Sequence, residues 1–236
     1  MINKTKRLDA SRSLKLPRKK YFWAPTSLPG KHSRESSMPI LIALRDYLKF
    51  GDKEREVSRI LNSRSVLVDG KAVKKRRVGI GLMDVITITP LGYSYRVLLD
   101  ERGKLILRRE NEEAKNLKPL KVMNKVTIKG GKTQIVFHDG ETLLSDDKNI
   151  STGDVVIVSV PEKKIEHVLK MQAGSKAFLV GGNHVGKFVT IKSIEVKKSS
   201  SSNLVHFEEN FSTTAENVFV VGNPKYSFPV TEGEVA

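Results

Sequence analysis

The feature that most constrains this chain is the punctuation of its longer, C-terminal part. From residue 93 onward, short apolar or β-branched runs alternate with turns rich in glycine and aspartate. Runs at 95–99 and 105–109 flank a turn at 101–103. Others at 126–128 and 134–137 flank Gly130-Gly131, and Asp139-Gly140 turns the chain again. Gly153-Asp154 leads into 155–160, which Pro161 stops. A second strand-rich segment spans 174–222. In it the polar loop KKSSSSN (197–203) separates a run containing Ile191, Ile194 and Val196 from another at 204–207. Short strands at such regular spacing favour small β-barrels.

Upstream the periodicity changes. Ile40, Leu41, Leu44, Tyr47 and Leu48 recur at helical spacing. They predict a helix that opens near Pro39, is capped by Ser36 or Ser37 and is ended by Gly51. Asp52 caps a second helix, whose inward stripe is Val57, Ile60 and Leu61, with Arg55 and Arg59 on the opposite side. Val66-Leu67-Val68 then runs into Asp69-Gly70, a strong hairpin signal, and 71–73 returns. After the basic loop 74–77 a further strand is predicted at 84–88. Residues 39–92 therefore read as a helix–helix–hairpin unit with a positive outer face, and the whole chain as α+β and multidomain.

Charge points to the partner. The net charge is +16, an excess that destabilises a compact chain unless a polyanion balances it. Residues 1–34 carry ten lysines and arginines against the single acid Asp9. Tyr21, Phe22 and Trp23 are embedded among them, and rings of this kind can stack on bases. Pro17, Pro25, Pro29 and Gly30 exclude one continuous helix, so 1–38 reads as a basic arm that orders on binding nucleic acid. There is no cysteine, which removes disulfides and thiolate chemistry. The longest apolar runs, such as 155–158, are far too short to cross a bilayer, and the N-terminus has no signal-peptide core. The expectation is a soluble, intracellular protein with a frayed end at 231–236.

No chemistry-bearing constellation stands out. None of the five histidines lies three or four residues from another, so no metal is expected. The adjacent carboxylates Asp146-Asp147 and Glu208-Glu209 sit in polar turns and read as solvated surface. GGNHVGKFVTI, at 181–191, imitates a phosphate-binding loop through Gly181, Gly186 and Lys187. Phe188 stands where that loop needs a hydroxyl, and Val189, Thr190 and Ile191 favour a strand over the helix that would receive phosphates. The glycines read better as a hairpin turn: Gly181 and Gly182 with positive φ, Gly186 at a turn or a close backbone approach. No nucleotide or other cofactor is expected.

GSKAFLVGGNHVGKFVTI resembles a KOW motif, the first hairpin of an SH3-like barrel, with Gly186 at the motif's glycine. REVSRILNSRSVLVDGKAV with GLMDVITI resembles the αL RNA-binding motif. Their order, after an arm containing KRLDAS and WAPTSLPGKHSRESSMPILIALRDYLK and before NVFVVG, resembles a ribosomal-protein family over essentially the whole chain. That family is number four of the "e" series of the archaeal and eukaryotic small subunit. The compact length looks archaeal. Lys31 and Ser11 depart from the prolines usual at their positions.

The resemblance implies four segments: a basic arm at 1–38, an αL motif at 39–92, a central β domain at 93–170 and a KOW barrel at 171–236. It also implies a non-catalytic, cytoplasmic, ribosome-bound protein, monomeric outside the ribosome, whose partners are small-subunit ribosomal RNA and neighbouring ribosomal proteins. The expected RNA contacts on the arm are Lys4, Lys6, Arg7, Arg12, Lys15, Arg18, Lys19, Lys20, Trp23, Lys31, His32 and Arg34. On the αL unit they are Arg45, Lys49, Arg55, Arg59, Arg64, Lys71, Lys74, Lys75, Arg76 and Arg77. The KOW turn comprises Gly181, Gly182, Asn183, His184, Gly186 and Lys187, with Asn183, His184 and Lys187 available to touch RNA or a neighbouring protein. A transcription-associated KOW factor and an RNA-modifying enzyme are the alternatives.

Overall fold

The structure, a computed structural model, describes residues 4–229 except 113, 146, 148, 199, 200 and 225. The expectations for 231–236, for Asp146 and for part of the 197–203 loop lie outside the described residues. The protein is mostly β, with short helices and several antiparallel sheets. Two compact units divide the chain, one formed by 4–99 with 104–118 and the other by 100–103 with 119–229.

In the first unit the helical turn Ile40–Ile42 continues as a π-helical segment, Ala43–Tyr47. Ile40 to Leu44 are all buried, so this short helix is enclosed on every side instead of presenting a single stripe. No side chain caps its start, so the expected serine cap is replaced by Pro39, paired with Gly79 through the Met38–Pro39 and Gly79–Ile80 strands. Its end also differs. Lys49, not Gly51, takes the left-handed conformation, and the Phe50 N–H reaches back to the Leu44 carbonyl. The second helix, Glu54–Asn62, is closed not by Asp52 but by Glu56, whose carboxylate accepts the Asp52 and Lys53 N–H groups. Those bonds, Lys53's first, hold the Glu56 carboxyl below its ordinary value.

The predicted hairpin forms: Val66–Val68 pairs with Lys71–Ala72, and Asp69 and Gly70 both have positive φ, as a two-residue turn of this hand requires. The sheet continues through Val85–Ile88, Tyr93–Leu99 and Leu105–Arg109. It thus runs across the expected boundary at 92/93, because Val85–Ile88 is hydrogen-bonded to Tyr93–Leu99. The arm is packed onto this unit. Lys4–Lys6 pairs with Trp23–Pro25, and Leu14 joins the core with Ile42, Val57 and Leu61.

The second unit contains two five-stranded sheets. In spatial order the first is Thr142–Ser145, Thr133–Phe137, Leu117–Thr127, Val155–Ser159 and Ile165–Leu169, over a core of Val122, Ile135, Phe137 and Val156. The second is Ser212–Thr214, Leu204–Phe207, Phe188–Glu195, Lys176–Leu179 and Val218–Gly222. Lys121 ties the two together. Its ammonium donates to the carbonyls of Ala215, Glu216 and Val218 at 3.0, 2.7 and 2.7 Å.

Burial lowers the Lys121 pKa to about 8 against a small opposing pull from Glu216. The folded state therefore gives up this proton before the unfolded state does. With the unfolded lysine near 10.4, Lys121 makes stability rise with pH between about 8 and 10. Comparing the pH dependence of thermal unfolding of wild type and Lys121→Met should show that increment vanish from the variant.

Candidate nucleic-acid interface

The basic face of the first unit is built by helix periodicity. Val57 and Leu61 point into the core, so Arg55 and Arg59 emerge on the opposite side and are exposed. Lys74, Lys75 and Arg76 are exposed on the neighbouring loop, where Arg76 pairs with Glu54 at 2.6 Å. Two shallow cavities follow the helix, one of about 330 Å³ lined by Ser58, Asn62 and 74–77, the other of about 600 Å³ lined by Arg55, Ser58, Arg59 and Arg76. They share Ser58 and Arg76, so the cations form one continuous face. Arg64 and Lys71 are exposed nearby in sequence, Arg64 with positive φ just past the helix end.

Several expected contacts have other work. Arg7 is 1% exposed, lies over the Tyr21 ring at 5.0 Å and faces Asp46 at 3.6 Å. It is withdrawn from the RNA-contact set, because a buried guanidinium cannot meet a phosphate without unfolding the arm. Arg18 clasps the arm by donating to the carbonyls of Leu8, Ala10 and Ser11. Arg77 docks it by donating to the Thr26 carbonyl and hydroxyl. The His32 side chain is buried on Asp84 at 3.0 Å, so it too leaves the set. Lys31 is held by Asp69 at 2.8 Å, which gives a physical use for the lysine in place of the usual proline. Lys6, Arg12, Lys15, Lys19, Lys20, Trp23 and Arg34 are exposed, and Lys4 begins the strand that pairs with Trp23–Pro25.

A buried charge cluster escaped the sequence reading. Lys118 is 1% exposed and donates to Asp69 at 2.8 Å and also to Asp84. Asp84 further accepts the Gly81 N–H and bonds His32, while Asp69 accepts the Val85 N–H. Burial alone would raise the Asp84 carboxyl, but the Lys118 charge and the His32 bond outweigh it and hold that carboxyl well below the usual range. The only available signal was a lysine between Leu117 and Pro119-Leu120, in a strand that carries Lys121 and Lys125 as well, and lysines at strand edges are common.

At 181–187 the chain turns between Lys176–Leu179 and Phe188–Glu195, with a strand where a phosphate loop requires a helix. Gly182 and Gly186 have positive φ, whereas Gly181 does not and instead lies against Asn217. A Cβ on Gly186 would sit 2.7 Å from the Asp100 carbonyl carbon, so the close approach expected there is with the 100–101 backbone. Asn183 and Lys187 are exposed, while His184 is stacked on Phe211 at 4.1 Å. Among the described residues no group of three or more His, Asp or Glu side chains is gathered to hold a metal.

A β-rich fold with a continuous cationic face along one exposed helix defines a basic protein that presents itself to polyanions. Comparison with known proteins narrows the class. Residues 91–165 match the model of ribosomal family S4e. The small ribosomal subunit protein eS4 of Thermoplasma volcanium is 53% identical over 100% of this chain and 99% of its own. That of Picrophilus torridus is 53% identical over 98% of each. The crystal structure of the 30S ribosomal protein S4e from Thermoplasma acidophilum superposes with a TM-score of 0.73 at 47% identity, covering 82% of this chain and 98% of that one. The chain belongs to the ribosomal S4e family.

Proposed function

We propose that this protein is a structural constituent of the small ribosomal subunit, acting without catalysis in the cytoplasm. It binds ribosomal RNA through the arm and the Glu54–Asn62 face and contacts neighbouring ribosomal proteins. In this reading 39–92 is an αL motif, the sheet around 176–222 is a KOW barrel, and the free protein is a monomer. The observation that carries it is that Arg55 and Arg59, on the helix face opposite Val57 and Leu61, line one cavity together with Arg76 of the neighbouring loop. Arginine forks onto phosphate, and phosphate neutralisation releases counterions. Selectivity comes from RNA shape and exposed bases, because side chains cannot read the deep major groove of an RNA helix.

With about six phosphates neutralised, the log–log dependence of affinity on salt should have a slope of roughly −4 to −5. The double variant Arg55→Ala/Arg59→Ala should weaken binding to a small-subunit RNA fragment and flatten the slope by about 2, since each phosphate contact contributes roughly one unit. Its unfolding midpoint should not move, because both side chains are exposed. A filter-binding salt series reads both quantities, and a flat response in the wild type rejects the electrostatic mechanism.

A further inference from the structure

The arm and the 40–54 segment of the first unit enclose an open cavity of about 820 Å³ whose lining shares only Glu54 with the Arg55–Arg76 face. One wall is aromatic. Tyr21, Phe22 and Trp23 line it and are 56%, 63% and 53% exposed, an unusual outlay of ring surface in a folded hairpin. These rings are not loose. Trp23 is paired with Lys6 across the Lys4–Lys6 strand, the Arg7 N–H bonds the Phe22 carbonyl at 2.8 Å, and Arg7 covers one side of Tyr21. Phe22 and Trp23 meet edge to face, 4.7 Å apart at 83°, so a flat group stacked on one ring meets the edge of the other.

The opposite wall is charged, and its acids are largely spoken for. Asp46 is held by Arg45 at 2.7 Å and faces Arg7, and Glu54 is held by Arg76. Lys15, Lys20, Lys49 and Lys53 also line the cavity, and among the described residues none of the four forms an ion pair. Asp52 is the acid left over. A flat aromatic platform beside several lysines, each a mobile point charge, suits a base linked to a phosphate chain. It does not suit an isolated nucleotide, since no glycine loop or arginine fork fixes a terminal phosphate. It does not suit paired RNA either, because a base reaches a ring only after leaving its stack. An acidic peptide would satisfy the lysines and leave the rings exposed.

We infer that this cavity holds an unstacked nucleotide of a single-stranded RNA segment, its base on Trp23 and Phe22 and its flanking phosphates on the four lysines. The inference rests on the RNA-binding reading above and adds a second, single-strand-selective site to it.

Trp23 is the only tryptophan in the chain, so its fluorescence reports this site alone. Titrating the full-length protein with hexauridylate should quench that emission saturably, and a blunt RNA duplex at equal phosphate concentration should not. By anisotropy of end-labelled hexauridylate, Trp23→Ala should weaken binding roughly 5- to 100-fold, the range set by loss of one base–ring stack. Trp23→Phe keeps a ring and should stay within about threefold of wild type. The assignment is overturned if hexauridylate fails to quench, if the duplex or a hexaglutamate peptide quenches equally, or if Trp23→Ala binds like wild type. Failure of quenching alongside a steep salt slope for the ribosomal RNA fragment removes this site only. A flat slope removes the broader reading and this site with it.

Discussion

Replacing Lys118 by methionine should lower the stability of the first unit by about 3–5 kcal/mol, the cost of stranding buried charge by removing its partner. Two carboxylates share this one ammonium, and both are almost completely enclosed: Asp69 accepts it at 2.8 Å and Asp84 sits beside it. Methionine fills the volume, so the loss is electrostatic. Lys31 and His32 remain, which compensates Asp69 and Asp84 only in part. Urea unfolding followed by Trp23 fluorescence reads this unit directly. Adding Asp69→Asn and Asp84→Asn to Lys118→Met should recover part of the loss, because no buried carboxylate is then left without its counter-charge, while Lys31 stays partly exposed to solvent.

The same cluster makes a pH prediction with a definite sign. The folded Asp84 carboxyl lies well below its unfolded value of about 3.9. As the medium is acidified, the unfolded chain therefore takes up this proton first. The stability contributed by the cluster is complete above about pH 4 and drains away as pH falls through the folded pKa. In Lys118→Met that contribution is already missing, so the difference in urea midpoint between the two proteins should shrink below about pH 4. A difference that stays constant down to acid-induced unfolding would show that Lys118 acts by packing alone.

The second large effect is expected at Gly186. Gly186→Ala should cost the second unit about 2–5 kcal/mol, combining a left-handed backbone penalty with overpacking against main chain that has little freedom to move. Its φ is +82°, and the added methyl would lie 2.7 Å from the Asp100 carbonyl carbon and 2.8 Å from the Glu101 nitrogen. Gly182 is the internal control. Its φ is +84°, yet a methyl there meets the Thr213 hydroxyl at 3.4 Å and the Asn217 amide nitrogen at 3.9 Å, both ordinary contacts. Gly182→Ala should therefore cost only the backbone part, about 1–2 kcal/mol. The difference in thermal midpoint by circular dichroism isolates the contact with 100–101. Equal losses in the two variants would mean that the Asp100 contact is relaxed away.

Much of the candidate interface was legible because exposure follows periodicity. Arg55 and Arg59 were placed outward by the spacing of Val57 and Leu61, and the fold agrees. The Asp69-Gly70 hairpin was legible for a related reason, since both residues tolerate positive φ and the flanking runs alternate. The arm was the opposite case. Its charge was plain, but Arg7, Arg18, His32 and Arg77 turned out to hold the arm in place. A basic residue that clasps a carbonyl and one that waits for a phosphate look identical in one dimension. Helix ends misled in a similar way: Gly51 has the better intrinsic preference for a left-handed stop, yet with Leu44 buried and Leu48 packed partly buried against the same core the stop falls at Lys49.

The sequence by itself determined the β-rich character, the turn positions, the cationic helix face and the exclusion of a phosphate loop at 181–191. Each depends on residues within a turn or a strand of one another, where propensity and alternation act. Only the tertiary structure decided the rest. It paired Lys118 with an aspartate 49 residues away, and it brought Lys121 to carbonyls more than 90 residues downstream. It also set the aromatic arm across from Lys49 and Lys53. Those pairings follow from which apolar surfaces bury each other, and a charge carried into the interior then takes whatever counter-charge or carbonyl the packing has placed there.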